Sequence, residues 1–372
     1  MKIQPFELER YFAKYEFKIE HLMSASDCEG LYIQELIAMA SPQSLDLWNN
    51  LKLNYTESAG HPLLRQGIAA LYSETTPEQV LVAVPEELIF IAMQNLVNAT
   101  DHVIAISPTY QSLHSIVESL GCELSLWQLG LHDGEWAIDI PQLESLIKKN
   151  TKLIIINFPN NPTGFSPTKK ELEEIVQIAR KHGITIFSDE MYRLLEFRIE
   201  DRLPSISEIY ENGIALSGLS KSFALPGLRV GWLTSKNTKM LDQLLEYKDY
   251  TTICNSAPSE ILAIMALENT NGIIERNLEI LRHNIEHSKK YFAQVPHLVD
   301  WIAPKAGSIA FPKWKGKKPM DQLCESLITE KGLMIVPGKL FHFPNDHFRV
   351  GLGRKNYPES LSIFIDHIKS MD

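Results

Sequence analysis

Short apolar runs alternate with stretches of helical period from about residue 80 to residue 235. Residues 87–92 and 102–107 read as strands, with a helix between them from about Asn95. Pro108-Thr109-Tyr110 then opens a helix to Leu120, and residues 122–126 are again strand-like. The run 151–158, with Leu153-Ile154-Ile155-Ile156 inside it, is almost continuously apolar, the pattern of a strand buried on both faces. Residues 167–182 keep a Lys/Glu-rich face at helical spacing and stop at Gly183, a C-cap residue. Strands at 184–188, 213–217 and 229–234 follow. Such alternation predicts an α/β fold, a mostly parallel sheet between helices.

Beyond Lys236 the pattern turns helical, at 241–250, 258–268 and 272–292. The last 75 residues or so mix short strands (308–311, 333–336, 348–351) with amphipathic helices at 320–331 and 358–368. That pattern predicts a smaller α+β domain built from the two chain ends. The expected division is a large domain over residues 46–280 and a small one from 1–45 and 281–372.

Composition narrows the class. The chain has 372 residues and a net charge of −10, with no basic block of the kind that sequence-independent nucleic-acid binding needs. Cys28, Cys122, Cys254 and Cys324 form no C-x-x-C pair, and the twelve histidines show no metal-like pairing. A disulfide framework and a metal site are therefore not expected. The N-terminal residues lack the apolar core of a signal peptide, and no run approaches the roughly 18 apolar residues of a membrane span. A cytoplasmic protein, with neither membrane nor nucleic acid as partner, is expected.

The chemistry concentrates around Lys221, in Ser217-Gly218-Leu219-Ser220-Lys221-Ser222-Phe223-Ala224-Leu225-Pro226-Gly227-Leu228-Arg229-Val230-Gly231. A lysine among small and hydroxyl residues, between apolar runs, is partly desolvated. Its amine pKa then falls, which favours Schiff-base chemistry with an aldehyde. Arg229 offers fixed donors to an anion. An aldehyde and a phosphate together suggest pyridoxal 5′-phosphate, although an ordinary ion pair would explain either residue alone. Asp189 follows a buried strand, where a carboxylate is costly unless a cation faces it. A protonated pyridinium nitrogen would serve; capping of the next helix is the alternative. Asn157-Phe158-Pro159-Asn160-Asn161-Pro162-Thr163-Gly164 sits beyond the carboxyl end of another strand, where ligands of open α/β sheets bind.

These four segments, Asn157 to Gly164, Asp189 to Tyr192, Ser217 to Gly231 and Phe348-Arg349-Val350-Gly351, resemble in order and separation the motifs of the fold-type I, class I/II aminotransferases that use pyridoxal 5′-phosphate. The resemblance covers nearly the whole chain. It implies that Lys221 forms the Schiff base and later acts as general base. Asp189 would pair with the ring nitrogen, Tyr192 and Asn161 would bond the ring oxygen, and Tyr110 would stack on the ring. Arg229 would bind the phosphate, and Arg349, helped by Asn161, the substrate carboxylate. Tyr55, in the segment ending at Gly60, matches the tyrosine that reaches the phosphate in a neighbouring subunit, so a homodimer with shared sites is implied. The function implied is transfer of an amino group from an amino acid to a 2-oxo acid by a ping-pong route.

Two departures accompany the resemblance. The helix start that usually carries phosphate-binding glycine and hydroxyls is placed at Ile91-Ala92-Met93-Gln94-Asn95, so Ala92 and Met93 would offer backbone amides and Gln94 a side-chain donor. Gly218 stands where Ser or Thr often binds the phosphate, leaving Ser217, Ser220 or Ser222 to substitute, with Ser220 carried as the cofactor ligand. The position of the second arginine of dicarboxylate enzymes falls near Thr251, which argues against aspartate or glutamate as specific donor. Lyases and cyclases of the same fold remain the alternative. A non-catalytic cofactor-binding regulator is a remote one, since the fold begins almost at Met1 and no basic recognition helix precedes it.

Overall fold

The computed structural model describes residues 3–371. Its centre is a seven-stranded sheet of β1 (Val80–Ala83), β2 (His102–Ser107), β3 (Glu123–Gln128), β4 (Thr151–Asn157), β5 (Thr185–Asp189), β6 (Gly213–Gly218) and β7 (Gly231–Thr234) in the spatial order β1-β7-β6-β5-β4-β2-β3. β7 runs antiparallel to both neighbours, and the β6-β5-β4-β2-β3 pairs are all parallel. Helices include α1 (Glu7–Tyr15), α2 (Pro85–Leu96), α3 (Lys169–His182) and α4 (Thr270–Phe292).

β4 shows why the sheet is central. Leu153 and Ile155 point into one apolar cluster and Ile154 and Ile156 into the other, all four at 0% exposure. Period-2 alternation thus feeds both faces, and each such side chain contributes roughly 1.5–3 kcal/mol on burial. α3 is fixed at both ends by its own residues. Thr168 accepts from the Glu171 amide while the Glu171 carboxylate returns to Thr168, and Gly183 closes the helix at φ 65°.

The stretch 87–92, expected as a strand, lies inside α2, and the strand of this region is β1, four residues earlier in the chain. No helix begins at Asn95: Val97 is extended, at φ −139° and ψ 158°. A short apolar run is compatible with either element, and Pro85 decides the outcome by taking the first helical turn, where its missing N–H is harmless. Leu88, Ile89, Ile91, Ala92 and Met93 then face the core from a helix.

The C-terminal part holds a three-stranded sheet of β8 (Ile309–Ala310), β9 (Val336–Pro337) and β10 (Phe348–Gly351), with β10 in the middle and both pairings antiparallel. The N-terminal segment completes it: the amide of Gly351 donates to the Met23 carbonyl at 2.9 Å and that of Met334 to His21 at 3.0 Å. α1 ties the two parts together. The amide of Glu7 donates to Gln111 at 2.9 Å on one side, and the Tyr11 hydroxyl to the Ile335 carbonyl at 3.1 Å on the other. Among the described residues no helix is long and apolar enough to cross a membrane.

Candidate active site

The carboxyl ends of the parallel strands converge on one edge. Asn157 ends β4 beside Asp189 at the end of β5, Asp189 pairs in register with Leu216 of β6, and Gly218 at the end of β6 lies opposite Gly231. β1 ends at Ala83 opposite Gly231, so α2 also starts at this edge. Above it opens a cavity of ≈ 820 Å³ whose lining includes Lys221, Asp189, Tyr192, Asn161, Tyr110, Ser220, Arg229 and Arg349. Eight of the sequence-predicted site residues are therefore brought together, from segments spread over 240 positions of the chain.

Backbone and side-chain bonds hold the set. The Asn157 amide group donates to the Asp189 carbonyl at 3.0 Å, and its oxygen accepts the Asn161 amide at 2.8 Å. Asn161 is thus fixed by the strand end before it, and its own oxygen accepts from Arg349 at 3.1 Å. A second Arg349 nitrogen donates to the Ser24 carbonyl at 3.0 Å, while Phe341 and Phe12 sandwich the guanidinium at 5.2 and 5.8 Å. Lys221 donates to the Ser26 hydroxyl at 2.8 Å, and the Ser26 carbonyl accepts from Tyr192 at 3.2 Å and Ser308 at 2.8 Å.

Electrostatics make the site unusual. Among the described residues, Lys221, Asp189, Arg229 and Arg349 form no ion pair. Burial pushes the Lys221 amine below its ordinary value, with Asp27 pulling it back. Asp189, 6% exposed, is pushed up to about 6 by burial, with the Met191 amide and Lys221 opposing. Arg349 is 1% exposed; burial lowers its pKa, and its Nε has no partner. The Ser220 hydroxyl, 5% exposed, also lacks one. Buried polar groups are ordinarily satisfied, so orphaned donors and an unneutralised carboxylate around one cavity mark a place for an anionic, pyridinium-bearing ligand. Pyridoxal 5′-phosphate fits this donor set: Asp189 for the ring nitrogen, Lys221 for the carbonyl, Arg229 and Ser220 for the phosphate.

Other sequence-predicted positions lie elsewhere. Ala92 and Met93, both 0% exposed, sit two turns inside α2 in the core, and Gln94 follows them on the same helix. None of the three lines the cavity. Helix-interior amides are already bonded within the helix, so only the start of α2 can face an anion. Pro85 and Glu86 occupy that start and line the cavity. Ser217 and Ser222 are turned away, donating to the carbonyls of Glu190 and Met191. Tyr55 stands on the surface at 88% exposure, outside this chain's cavity. Thr251 is likewise exposed and bonds to Glu87.

Gly218 has a steric reason. A Cβ there would meet the Gly231 Cα and the Val230 carbonyl, each at 3.0 Å. The close approach of β6 and β7 disfavours at that position the serine or threonine that the resemblance implies. The residues that sequence reasoning missed are Ser26, Asp27, Glu9, Glu16, Glu86 and Arg354, all in the cavity lining. Ser24-Ala25-Ser26-Asp27 was the available signal, a small polar run among apolar neighbours; α1 gave none, being an ordinary amphipathic pattern.

Comparison with known proteins accords with this geometry. The sequence profile of the family "Aminotransferase class I and II" matches residues 35–368. The chain belongs to this family. It is a pyridoxal-phosphate-dependent transferase, with pyridoxal 5′-phosphate as its cofactor. A PLP-dependent aminotransferase from Streptococcus suis superposes with a TM-score of 0.91 at 34% identity, over 100% of this chain and 98% of that one. Capreomycidine synthase from Streptomyces vinaceus is 28% identical over 79% of this chain and 75% of its own length. Aspartate aminotransferase from Thermotoga maritima is also 28% identical, over 79% of this chain and 77% of its own.

Proposed function

We propose that the chain moves an amino group from an amino acid to a 2-oxo acid in two half-reactions, the oxo acid entering after the first product has left. The observation that carries this reading is the placement of Lys221 and Arg349 on one cavity, a proton-transfer group beside an anion grip. Arg349 holds the substrate carboxylate through its guanidinium, which Asn161 orients. Lys221, its amine pKa lowered by burial, carries the proton from the substrate α-carbon. Asp189 keeps a ring nitrogen protonated, and the bound cofactor supplies the electron sink that stabilises the carbanion. Tyr192 and Asn161 address the ring oxygen, Tyr110 the ring face, and Arg229, Ser220 and the start of α2 the phosphate. Leu8 and Phe12 of α1, with Phe6 just before it, give the cavity an apolar wall.

The same reading divides the chain into a large cofactor-binding unit, residues 46–280, and a small one from 1–45 and 281–372. It also pairs two chains. Leu53, Tyr55, Tyr250 and Ile253 are 83%, 88%, 93% and 51% exposed on two touching segments, Ser58 donating to the Ile253 carbonyl at 2.6 Å. A second copy covers them and receives Tyr55 at its own cofactor phosphate. Four free cysteines, three of them buried, suit a reducing cytosol.

One relative supports a second reading, in which the same cofactor serves synthesis: capreomycidine synthase, whose name denotes no amino transfer. Counting product separates the two. Without an acceptor, transamination releases one oxo acid per active site and then stops; adding a 2-oxo acid restarts it. Continuous oxo acid and ammonia without acceptor would indicate elimination, and a cyclic product without any oxo acid would indicate cyclisation.

A further inference from the structure

One wall of the cavity is acidic. Glu9, Phe12 and Glu16 follow one another at i, i+3 and i+7 on α1 and the turn after it, a single helical face, and all three line the cavity. Phe12 lies against the Arg349 guanidinium at 5.8 Å, so this face is anchored next to the carboxylate grip. Glu9 accepts a hydrogen bond from the Tyr110 hydroxyl at 2.8 Å, which orients it without neutralising it.

The charges of the lining can be assigned one by one. Lys221, Asp189 and Arg229 are engaged by the cofactor, and Arg349 by the substrate carboxylate. Arg354 is paired with Asp27 at 3.1 Å. Glu86, at the start of α2, is pushed up to about 7 chiefly by burial and feels Arg229; Glu9 and Glu16 remain, and among the described residues neither forms an ion pair. Burial raises the Glu16 pKa, and Asp27 and Glu9 raise it further, while Arg354 and Lys221 pull it down. Independently of the acidic wall, the buried Arg349 lines the same cavity and forms no ion pair among the described residues, which points to a ligand carboxylate in that space. Resting on the amino-acid-donor reading above, we propose that the donor carries a cationic distal group, ammonium or guanidinium, received by Glu9 and Glu16 while Arg349 holds its carboxylate. The same wall rejects dicarboxylates, whose second carboxylate would face like charges.

The test uses the cofactor-loaded enzyme and a panel of arginine, ornithine, lysine, norleucine and glutamate. Binding is read from the cofactor absorbance and oxo-acid release is read separately. The cationic amino acids should bind at least about tenfold more tightly than norleucine or glutamate. Glu9→Gln combined with Glu16→Gln should remove that advantage while leaving norleucine within about threefold, which also reports an intact site. Preference for norleucine or glutamate in the parent, or an unchanged ranking in the double variant, overturns the proposal. Tight binding of cationic amino acids with no oxo acid released sinks transamination and leaves the assignment standing. Oxo acid released from neutral donors alone does the reverse.

Discussion

In the cofactor-free chain the Asp189 carboxylate accepts one backbone amide, from Met191 at 3.0 Å, and forms no ion pair among the described residues. Its pKa is raised to about 6, so the folded state holds the neutral form more tightly than the unfolded chain does. The stability tied to that proton is fully present below the unfolded value near 4 and is lost as pH rises through 6. Cofactor-free Asp189→Asn, neutral at every pH, should therefore be more stable than the parent at pH 8. The gain is up to about 3 kcal/mol, at roughly 1.4 kcal/mol per pKa unit, and it fades toward pH 4. Denaturant unfolding at the two pH values checks this. Loading with cofactor should reverse the order, because the carboxylate then faces a cation and asparagine does not. An equal stability at pH 8 would mean that Asp189 is already neutralised by the chain itself.

Most of the residues gathered at the cavity were legible because they sit at or just beyond strand ends with turn-forming neighbours. Asp189 ends an apolar strand, and Asn161 and Lys221 lie four and three residues beyond the strand ends Asn157 and Gly218. Ser26 and Glu9 were not legible. Their roles come from tertiary contacts between α1, the segment after it and the large sheet, and no local period encodes them.

At the scale of elements, the start of α2 at the cavity edge was the main misreading. Leu88-Ile89-Phe90-Ile91 is apolar on every side, so period alone could not choose between strand and helix, and Pro85 was the deciding residue. The consequence is chemical as well as geometric. Pro85 brings no amide to the cavity edge, and Glu86, beside it, is pushed up to about 7 chiefly by burial. Gly218 belongs to the same corner. Gly218→Ser would supply the hydroxyl that the family resemblance implies for that position, yet its Cβ would press on β7 at 3.0 Å. Backbone on both contacts cannot swing aside, so a loss of about 1–3 kcal/mol in unfolding free energy is expected, with no gain in cofactor affinity. A stable variant that binds cofactor more tightly would show that the strands part easily. By contrast, α3 was readable in full, because its capping pair and terminal glycine are all local signals.

For the whole molecule, two facts set the frame: a sheet fed by two apolar clusters, and a cavity at its carboxyl edge lined in part by the N-terminal helix. The cavity is complete in its lysine, aspartate and arginines within one chain, and the expected contribution of a second chain is the phosphate end. Tyr55→Asp together with Tyr250→Asp should shift the mass measured by light scattering from two chains to one. It should also weaken cofactor retention, since Tyr55 would no longer reach the neighbouring site. A parent protein of single-chain mass that holds its cofactor would refute the shared-site arrangement.

The most direct test of the whole account is borohydride trapping of the cofactor-loaded protein, read by peptide mass spectrometry, before and after an amino donor is added without acceptor. The expected result is a phosphopyridoxyl label on Lys221 alone, lost when the donor is added first and regained on adding a 2-oxo acid. A label on another lysine, or one on Lys221 that donor and acceptor leave unchanged, would contradict amino transfer through Lys221.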